Sequence, residues 1–185
     1  MKSPFKLHHY KRIDSTSAAA FRHARQGVAS GSVFTADYQT EGHGRFRRKW
    51  VSPKGANILF SILLRPKFKV NEAPWVTQIA CRSVARILKK TYGLETTFKR
   101  PNDIMVKGRK ICGVLVEAKS RSSGEVESLV IGVGLNVNAR RGELVPGATS
   151  LWEELGRKIP RQKLLKKLLN EFKEDSELYR WNGNE

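Results

Sequence analysis

The stretch VESLVIGVGLNV, residues 126–137, and the preceding KICGVLVE, residues 110–117, decide the fold of this chain. Both are short apolar runs rich in β-branched residues, with little alternation between apolar and polar positions. A strand that is apolar on both faces is typical of the centre of a sheet that is covered on both sides. We therefore predict central strands at residues 111–117 and 126–137.

Further strands and helices are predicted outward from this centre. The additional strands are residues 32–38, 57–64, 96–99 and 104–106. Helices are predicted from Ser15 or Thr16 as the cap to about Arg25, over residues 73–91, and after Pro160 as an amphipathic terminal helix. The pattern predicts an α+β fold, a mixed β-sheet with packed helices.

Length and composition favour one domain over residues 1–185. The chain has 185 residues, of which 39% are hydrophobic, enough for one substantial core. No apolar window is long enough to cross a bilayer, and the first residues lack the apolar stretch of a secretion signal. We expect a cytoplasmic protein without a membrane partner. Cys81 and Cys112 lie outside any Cys-x-x-Cys or Cys/His cluster, so neither a metal site nor a disulfide is expected.

The net charge of +18 predicts an anionic partner. Nucleic acid would satisfy this charge. The basic residues are dispersed, however, over the 45–49 segment, residues 107–110 and 140–141, and one face of the terminal helix. This dispersal disfavours a nonspecific nucleic-acid-binding tail and is compatible with small anionic ligands and an acidic acceptor protein.

The segment QTEGHGRFRRKW, residues 39–50, is the first candidate binding loop. Glycines allow close approach of backbone to a ligand, and guanidinium groups offer forked donors to carboxylate and phosphate oxygens. The segment therefore predicts an anion-binding loop. From the residues alone, a loop that holds single-stranded nucleic acid or a solvated surface loop is equally compatible.

Three more segments follow in order: KRPND at 99–103, KICGVLVE at 110–117 and GVGLNVN at 132–138. With the basic loop and Asp14-Ser15-Thr16, they resemble the catalytic domain of biotin protein ligases. The family usually has a Gly-Arg-Gly-Arg loop ending in Trp, then Lys-Trp-Pro-Asn-Asp, Lys-x-x-Gly-x-Leu-x-Glu and Gly-x-Gly-x-Asn. The resemblance spans about residues 8–155. It departs at His43, where the family often has Arg, and at Arg100, where it usually has Trp.

The resemblance implies a fold shared with class II aminoacyl-tRNA synthetases. Many family members add a small β-barrel-like domain after the catalytic domain, and some add an amino-terminal DNA-binding helix-turn-helix. A chain of 185 residues is expected to contain no amino-terminal DNA-binding domain and no complete carboxy-terminal β-barrel. We therefore expect no DNA partner.

The same resemblance implies an ATP-dependent ligase. Biotin would be activated to biotinyl-5′-AMP and then transferred to a specific lysine of a biotin carboxyl carrier protein, a subunit or domain of acetyl-CoA carboxylase. ATP and biotin are the expected ligands, with Mg²⁺ carried by ATP and few protein ligands to it. A homodimer is compatible with the family.

The catalytic residues implied by the resemblance are Arg45, Lys110 and Asp103. Arg45 should hold the carboxylate and the α-phosphate, and Lys110 should contact the oxygens at the reacting centre. Asp103 should accept a proton from the incoming lysine or help to place Mg²⁺. Taken singly, Lys110 could be a surface lysine, and Asp103 part of an Asx turn.

The ligand-binding residues implied by the resemblance fall into three groups. Polar groups for the biotin urea are Ser15, Thr16 and Gln39, although the first two could simply cap a helix. Backbone and wall positions are Gly42, His43, Gly44, Gly113, Leu115 and Gly132. Aromatic and amide contacts are Trp50, which could instead anchor the loop, and Asn136, which could meet the adenine edge or serve only as a strand-end residue.

Two alternatives remain at this level. A lipoate-type protein ligase or acyltransferase on the same fold would differ in pocket polarity, and Gln39 with Ser15 and Thr16 favours the urea of biotin. A basic nucleic-acid-binding domain would explain the charge but none of the motif order.

The dispersed positive charge predicts that salt slows the two half-reactions unequally. Exposed charges are screened beyond about 10 Å at 0.1 M salt. Raising the salt concentration should therefore slow transfer to an acidic carrier more than adenylate formation. The measurement is the rate of each half-reaction between low and high salt, and equal slowing would contradict charge steering.

Overall fold

The predicted strands form and join into a single sheet in the computed structural model, which describes residues 5–175. The strands are β1 (Lys6–Tyr10), β2 (Ser32–Ala36), β3 (Ile58–Leu64), β4 (Thr97–Lys99), β5 (Asp103–Val106), β6 (Arg109–Ser120) and β7 (Val126–Leu135). The helices are α1 (Thr16–Arg25), α2 (Ala73–Tyr92), α3 (Leu151–Leu155) and α4 (Arg161–Glu174).

The seven strands are ordered β1-β2-β3-β7-β6-β5-β4. Strands β1 and β2 run parallel, and every other neighbouring pair is antiparallel. The sheet is therefore mixed. Strand β7 lies at its centre with β6 beside it, which confirms the prediction from their apolar runs.

The two faces of the sheet carry different side chains because successive residues of a strand point to opposite faces. In β3, Phe60 and Ile62 belong to the large core that includes residues of α2 and α4, whereas Leu63 packs with α1. In β7, Ile131 and Val133 enter the large core, while the alternate positions are Gly132 and Gly134. At these glycines, the face of the central strands that is turned toward α1 therefore carries no side chains.

The helices begin and end as the sequence predicts. Ser15 caps α1 by accepting a hydrogen bond from the backbone N–H of Ala18, and Gly93 ends α2 in the left-handed region at φ 68°. Helix α4 packs against α2 and the sheet, and the Phe172 ring meets Phe60 edge-on at 6.0 Å. The prediction of an amphipathic terminal helix after Pro160 is confirmed, and the helix is docked on the core.

Two elements were not predicted. Strand β1 lies at the sheet edge with a mostly polar sequence, and α3 has five residues, too few to show a helical period. Of the predicted domain 1–185, residues 1–4 and 176–185 lie outside the described part. Among residues 5–175, none of the helices combines the length and the apolar content needed to cross a membrane.

Candidate functional site

A cavity of about 270 Å³ opens on the glycine-bearing face of the sheet, beside the start of α1. Most residues predicted from the motifs line it. They are Ser15, Thr16, Gln39, His43, Gly44, Arg45, Trp50, Asp103, Lys110, Gly113, Leu115 and Gly132. Folding thus brings four separate sequence segments and the start of α1 to one place.

Glycines form the floor of the cavity because larger residues would collide with the groups above them. Gly113 of β6 pairs with Gly134 of β7, and the indole of Trp50 lies over both. A Cβ atom at Gly134 would lie 2.5 Å from Trp50 Cε2. One at Gly132 would lie 2.8 Å from Ser17 Oγ. The glycines therefore admit both the loop tryptophan and the first turn of α1.

Trp50 anchors the basic loop to this floor. Its backbone N–H donates to the Gly42 carbonyl at 2.8 Å, which closes the base of the loop. Its indole Nε1 is buried and has no hydrogen-bond partner among the described residues. A buried donor without a partner costs stability, so the anchoring of Trp50 on the glycine floor carries that cost.

A cluster of neutral polar groups lies at the Gly132 level of the cavity. Gln39 Oε1 accepts hydrogen bonds from both the backbone N–H and the hydroxyl of Thr16, at 2.7 and 2.9 Å. The Ser61 hydroxyl bonds to Thr16 Oγ1 at 2.8 Å and to Ser17 Oγ at 3.0 Å. These bonds orient Gln39 so that its oxygen is occupied and its amide N–H groups can donate elsewhere.

A one-residue irregularity in strand pairing aims Lys110 at the cavity. Asp103 pairs with Gly113, but Met105 pairs with Lys110, so β6 carries one extra residue between these pairs. Ile111 and Cys112 consequently both enter the core. Without the extra residue, Lys110 would point to the opposite face from Gly113, because side chains alternate along a strand. With it, both residues line the cavity.

Lys110 and Asp103 form an ion pair at the cavity wall. Lys110 Nζ lies 2.6 Å from Asp103 Oδ1 and 5.2 Å from the centre of a Trp50 ring. Both side chains are partly exposed, with 31% and 22% of their surfaces accessible. The pair therefore has access to a ligand in the cavity, and its ammonium and carboxylate can exchange partners with that ligand.

Glu154 of α3 holds the strand end that carries Lys110. Its side chain is 1% exposed, and Oε1 accepts from Arg109 at 2.7 Å and from the Thr149 hydroxyl at 2.6 Å. Thr149 in turn donates its backbone N–H to the Lys110 carbonyl at 2.8 Å. Burial by itself would raise the pKa of Glu154. The contacts from Thr149, Lys107 and Arg109 outweigh burial and lower it.

The tip of the basic loop is held by few internal contacts. Phe46 and Arg47 both adopt left-handed backbone conformations, at φ 56° and 54°, which are unfavourable for residues other than glycine. Phe46 is 79% exposed, and the Arg45 guanidinium lies 4.8 Å from the centre of the Phe46 ring. The cations of this tip therefore face solvent around the mouth of the cavity.

The two departures from the family pattern both line the cavity. His43 Nε2 lies 3.8 Å from Glu117 Oε1, and its Nδ1 lies 3.2 Å from the Glu41 carbonyl. Arg100 is exposed and precedes a cis peptide bond to Pro101. At position 100 the chain thus presents a cation instead of an aromatic surface.

Gly42 and Asn136 do not line the cavity. Gly42 lies in the loop against the side chain of Gln39, and a Cβ atom at Gly42 would lie 2.7 Å from Gln39 Nε2. Asn136 is 4% exposed, and its amide is engaged on both sides: Nδ2 donates to the Thr149 carbonyl and Oδ1 accepts from Asn57. This arrangement matches the strand-end role, and the adenine contact that the motif implies for Asn136 stays a prediction.

Sequence reasoning missed several residues of the site. Ser17 and Gly134 lie within or beside the predicted motifs and could have been found from strand and helix spacing. Ser61 is a polar residue within an otherwise apolar strand, which is a usable signal. Glu154 carries no signal in the sequence, because its role depends on where α3 packs.

Comparisons with known proteins agree with this fold. The sequence profile of the Biotin/lipoate A/B protein ligase family matches residues 9–136. The bifunctional ligase/repressor BirA of Bacillus spizizenii is 34% identical over 175 residues, which are 92% of this chain and 54% of that protein. A biotin–[acetyl-CoA-carboxylase] ligase of Paracoccus denitrificans is 30% identical over 87% of this chain and 69% of its own length.

Solved structures give the same result. A biotin protein ligase from Aquifex aeolicus in complex with biotin and ATP superposes with a TM-score of 0.80 and 30% identity, covering 95% of this chain and 72% of that one. The chain belongs to the biotin/lipoate A/B protein ligase family. The predicted resemblance to the biotin protein ligase catalytic domain, and the predicted fold class, are confirmed. The chain spans about half the length of the BirA relatives it matches.

The Glu154 contacts predict a pH-dependent contribution to stability. The pKa of Glu154 is lower in the folded protein than in the unfolded chain, so its contacts stabilise the fold at pH values above the unfolded pKa of about 4.5. This contribution is lost as the pH falls through the pKa of Glu154 in the folded protein. Glu154→Gln should reduce the free energy of unfolding at pH 7 by roughly 1–3 kcal/mol, and by less at pH 4. The measurement is urea unfolding at both pH values.

Glu125→Gln is the matched control because Glu125 is 60% exposed and pairs with Arg121 on the surface. Surface pairs contribute about 0–1 kcal/mol, so this variant should resemble the wild type at both pH values. A Glu154→Gln deficit that stays constant from pH 7 to pH 4 would contradict the interpretation.

The loop geometry predicts a difference in amide exchange between its base and its tip. In the unliganded protein, the Trp50 amide should be protected by its bond to Gly42, while the amides of residues 45–47 should exchange rapidly. Biotin with ATP should slow exchange at the tip, because an anion relieves the repulsion among its cations. Residue-resolved hydrogen exchange is the measurement, and an unchanged tip would exclude ordering by ligand.

Proposed function

We propose that this chain activates biotin with ATP to biotinyl-5′-AMP and transfers biotin to a lysine of a biotin carboxyl carrier protein. The observation that carries the proposal is the order of groups along the cavity floor. The neutral cluster of Thr16, Ser17, Ser61 and Gln39 lies at the level of Gly132, and Lys110 lies at the level of Gly113.

These two levels are two residues apart along paired strands, since Gly132 pairs with Leu115 and Gly134 with Gly113. At about 3.4 Å per residue the separation is about 7 Å. Biotin has an uncharged urea at one end and a carboxylate at the end of an aliphatic chain. A floor that offers neutral polar groups at one level and a cation at the next matches that distribution.

In the first half-reaction, a biotin carboxylate oxygen forms a bond to the α-phosphorus, and pyrophosphate leaves with the electron pair of the broken P–O bond. Two groups of anionic oxygens must approach each other in this step. Arg45 and Lys110 are proposed to offset that repulsion, which is supported by the position of both cations in the cavity wall. The exchange of Lys110 from Asp103 to the reacting oxygens would deliver its charge there.

In the second half-reaction, the acceptor amine bonds to the acyl carbon, and AMP leaves with the electron pair of the broken C–O bond. The acceptor ammonium loses two protons overall. Asp103 is the one carboxylate among the described residues that line the cavity, and it is proposed to accept the first proton. The second passes to solvent.

Mg²⁺ is proposed to arrive with ATP. Among residues 5–175, no three His, Cys, Asp or Glu side chains lie together as a metal-binding group. Asp103 is the carboxylate among the described residues that line the cavity, and carboxylate oxygens suit this ion. When bound to ATP, Mg²⁺ would neutralise phosphate charge, and the roles of Arg45 and Lys110 do not depend on a protein cage for it.

A lipoate-type ligase is the second candidate on this fold, but no observation favours it. The dithiolane of lipoate lacks the donors and acceptors of a urea, and the cluster around Ser61 would then face an apolar group. The relatives from Paracoccus denitrificans and Aquifex aeolicus described above are named as biotin ligases, which also supports biotin as the ligand. The acceptor is proposed to belong to acetyl-CoA carboxylase.

Replacing Lys110 should lower the rate of adenylate formation more than it lowers the affinity for the nucleotide. Removing one preorganised cationic or hydrogen-bonding group at a reacting oxygen costs about 2.7–4 kcal/mol, or about a hundred- to thousandfold in rate. Lys110→Ala should show this loss in single-turnover formation of biotinyl-5′-AMP. Lys110→Arg should recover little, because a planar fork cannot replace a compact ammonium without moving.

Lys107→Ala is the control, because the Lys107 side chain is 74% exposed. This substitution removes the same charge as Lys110→Ala, three residues earlier in the chain. Its rate should remain within a few-fold of the wild type. A Lys110→Ala protein that forms the adenylate at a rate close to that of the Lys107→Ala control would remove Lys110 from the proposed mechanism.

A further inference from the structure

Asp14 and Arg22 form a two-point ion pair at the start of α1. Arg22 Nη1 lies 2.6 Å from Asp14 Oδ2, and Arg22 Nη2 donates to Asp14 Oδ1 at 2.9 Å. Two planar groups that meet along one edge fix each other's orientation. Neither residue lines the first cavity, described above, or a second cavity of about 650 Å³ that opens beyond Asn102 between α2 and β6. The pair therefore acts on the first cavity through other residues.

The helical position of Arg22 explains how it reaches a residue eight positions earlier in the chain. Asp14 lies just before the cap of α1, and Arg22 lies about two turns into the helix. Helical side chains lean toward the N-terminus of their helix. The long arginine side chain consequently extends back along α1 and places both of its terminal nitrogens on the carboxylate.

The carboxylate of Asp14 holds the backbone at the entry to α1. Its Oδ1 accepts a hydrogen bond from the Ser15 N–H at 2.7 Å. Ser15 and Thr16 come next in the chain, are 5% and 4% exposed, and line the first cavity. Because Arg22 holds both carboxylate oxygens, the N–H that bonds to one of them has a defined direction. The direction in which the two hydroxyl residues enter the cavity follows from it.

The backbone of the same segment also holds the strand that carries Gln39. The Asp14 carbonyl accepts from the Glu41 N–H at 2.8 Å. The Ile13 carbonyl accepts from the Thr40 N–H at 2.9 Å. Gln39 directly precedes these two bonds. A displacement of Asp14 would therefore move Gln39 together with the start of α1, and both carry the neutral polar groups of the cavity.

The exposure of the pair indicates that orientation is its main effect. The side chains of Arg22 and Asp14 are 43% and 33% accessible, and ion pairs with this exposure add little to the free energy of unfolding. The hydrogen bonds from Arg22 lower the pKa of Asp14 and outweigh burial, which by itself would raise it. The carboxylate is therefore ionised at neutral pH and is held at both oxygens.

We propose that Asp14, held by Arg22, is a positioning residue for the urea end of biotin. It sets the direction of Ser15 and Thr16 and, through the paired backbone, that of Gln39. This inference rests on the proposed function and adds two residues that do not line the cavity. Their loss should weaken the binding of biotin and leave the adenylation step intact, because Lys110 at the reacting end is carried by β6.

A double-mutant cycle tests whether Arg22 acts through Asp14. The variants are Asp14→Ala, Arg22→Ala and the combination of both, with Arg22→Lys as the conservative variant. Arg25→Ala is the matched control, because Arg25 is an exposed arginine in the last turn of the same helix and lines neither cavity. It removes the same charge from α1 without touching the pair.

The binding of biotin alone is measured by calorimetry, which gives the Kd and the stoichiometry. Asp14→Ala should raise the Kd about tenfold, the order expected when a hydrogen bond to a charged group is lost. Arg22→Ala should raise it by a smaller factor, and should have no further effect in the Asp14→Ala protein. Arg22→Lys should lie between Arg22→Ala and the wild type, because an ammonium keeps the charge without the two-point geometry. Arg25→Ala should match the wild type.

The second measurement is single-turnover formation of biotinyl-5′-AMP at saturating biotin and Mg-ATP. Every variant should form the adenylate within a few-fold of the wild-type rate. This split between affinity and rate separates positioning from general damage. A protein that is only less stable would bind biotin with an unchanged Kd and a reduced stoichiometry.

Other outcomes overturn the positioning role. An unchanged Kd in Asp14→Ala would show that the pair only supports the fold. Additive effects of the two alanine substitutions would show that Arg22 does not act through Asp14. A slower adenylation rate at an unchanged Kd would place the pair's effect at the reacting end. If the wild type neither binds biotin nor releases pyrophosphate in its presence, the proposed function is rejected and the positioning role with it.

Discussion

The one-residue irregularity between β5 and β6 is the constraint on which the site depends. It places Ile111 and Cys112 together in the core and returns Lys110 to the cavity face. Strand alternation would otherwise bury the ammonium group against apolar side chains, at a large desolvation cost. The ion pair with Asp103, the position of the ammonium group over the Trp50 ring and the proposed role in charge neutralisation all follow from this local register.

One face of the central strands is packed against the core, and the other face carries the first cavity. Large side chains of β3 and β7 fill the core beneath α2 and α4, while the glycines on the other face leave room for Trp50 and the start of α1. A rigid, fully packed face supports a face with empty space. Glycine is therefore required at these positions because other groups approach the backbone closely. The backbone conformation there is ordinary for a strand and does not itself require glycine.

Positive charge serves different purposes along the chain. Arg109 and Lys107 are tied to buried Glu154, and Arg86 pairs with buried Glu171 between α2 and α4, so these cations support the structure. The loop cations and Arg100 instead lie around the two cavities. A net charge of +18 therefore does not by itself indicate nucleic acid, because part of the charge has a local carboxylate partner.

The sequence by itself determined the central strands, the main helices, the order of the motifs and the identity of most cavity residues. Apolar runs, helical spacing and glycine positions are local properties, so they can be read along the chain. Only the tertiary structure decided that Lys110 faces Asp103, that Glu154 holds the strand end, and that the Asn136 amide is engaged by Thr149 and Asn57. It also decided that a second cavity opens beyond Asn102. These features depend on strand register and on packing between residues far apart in the chain, and a single local pattern carries no information about either.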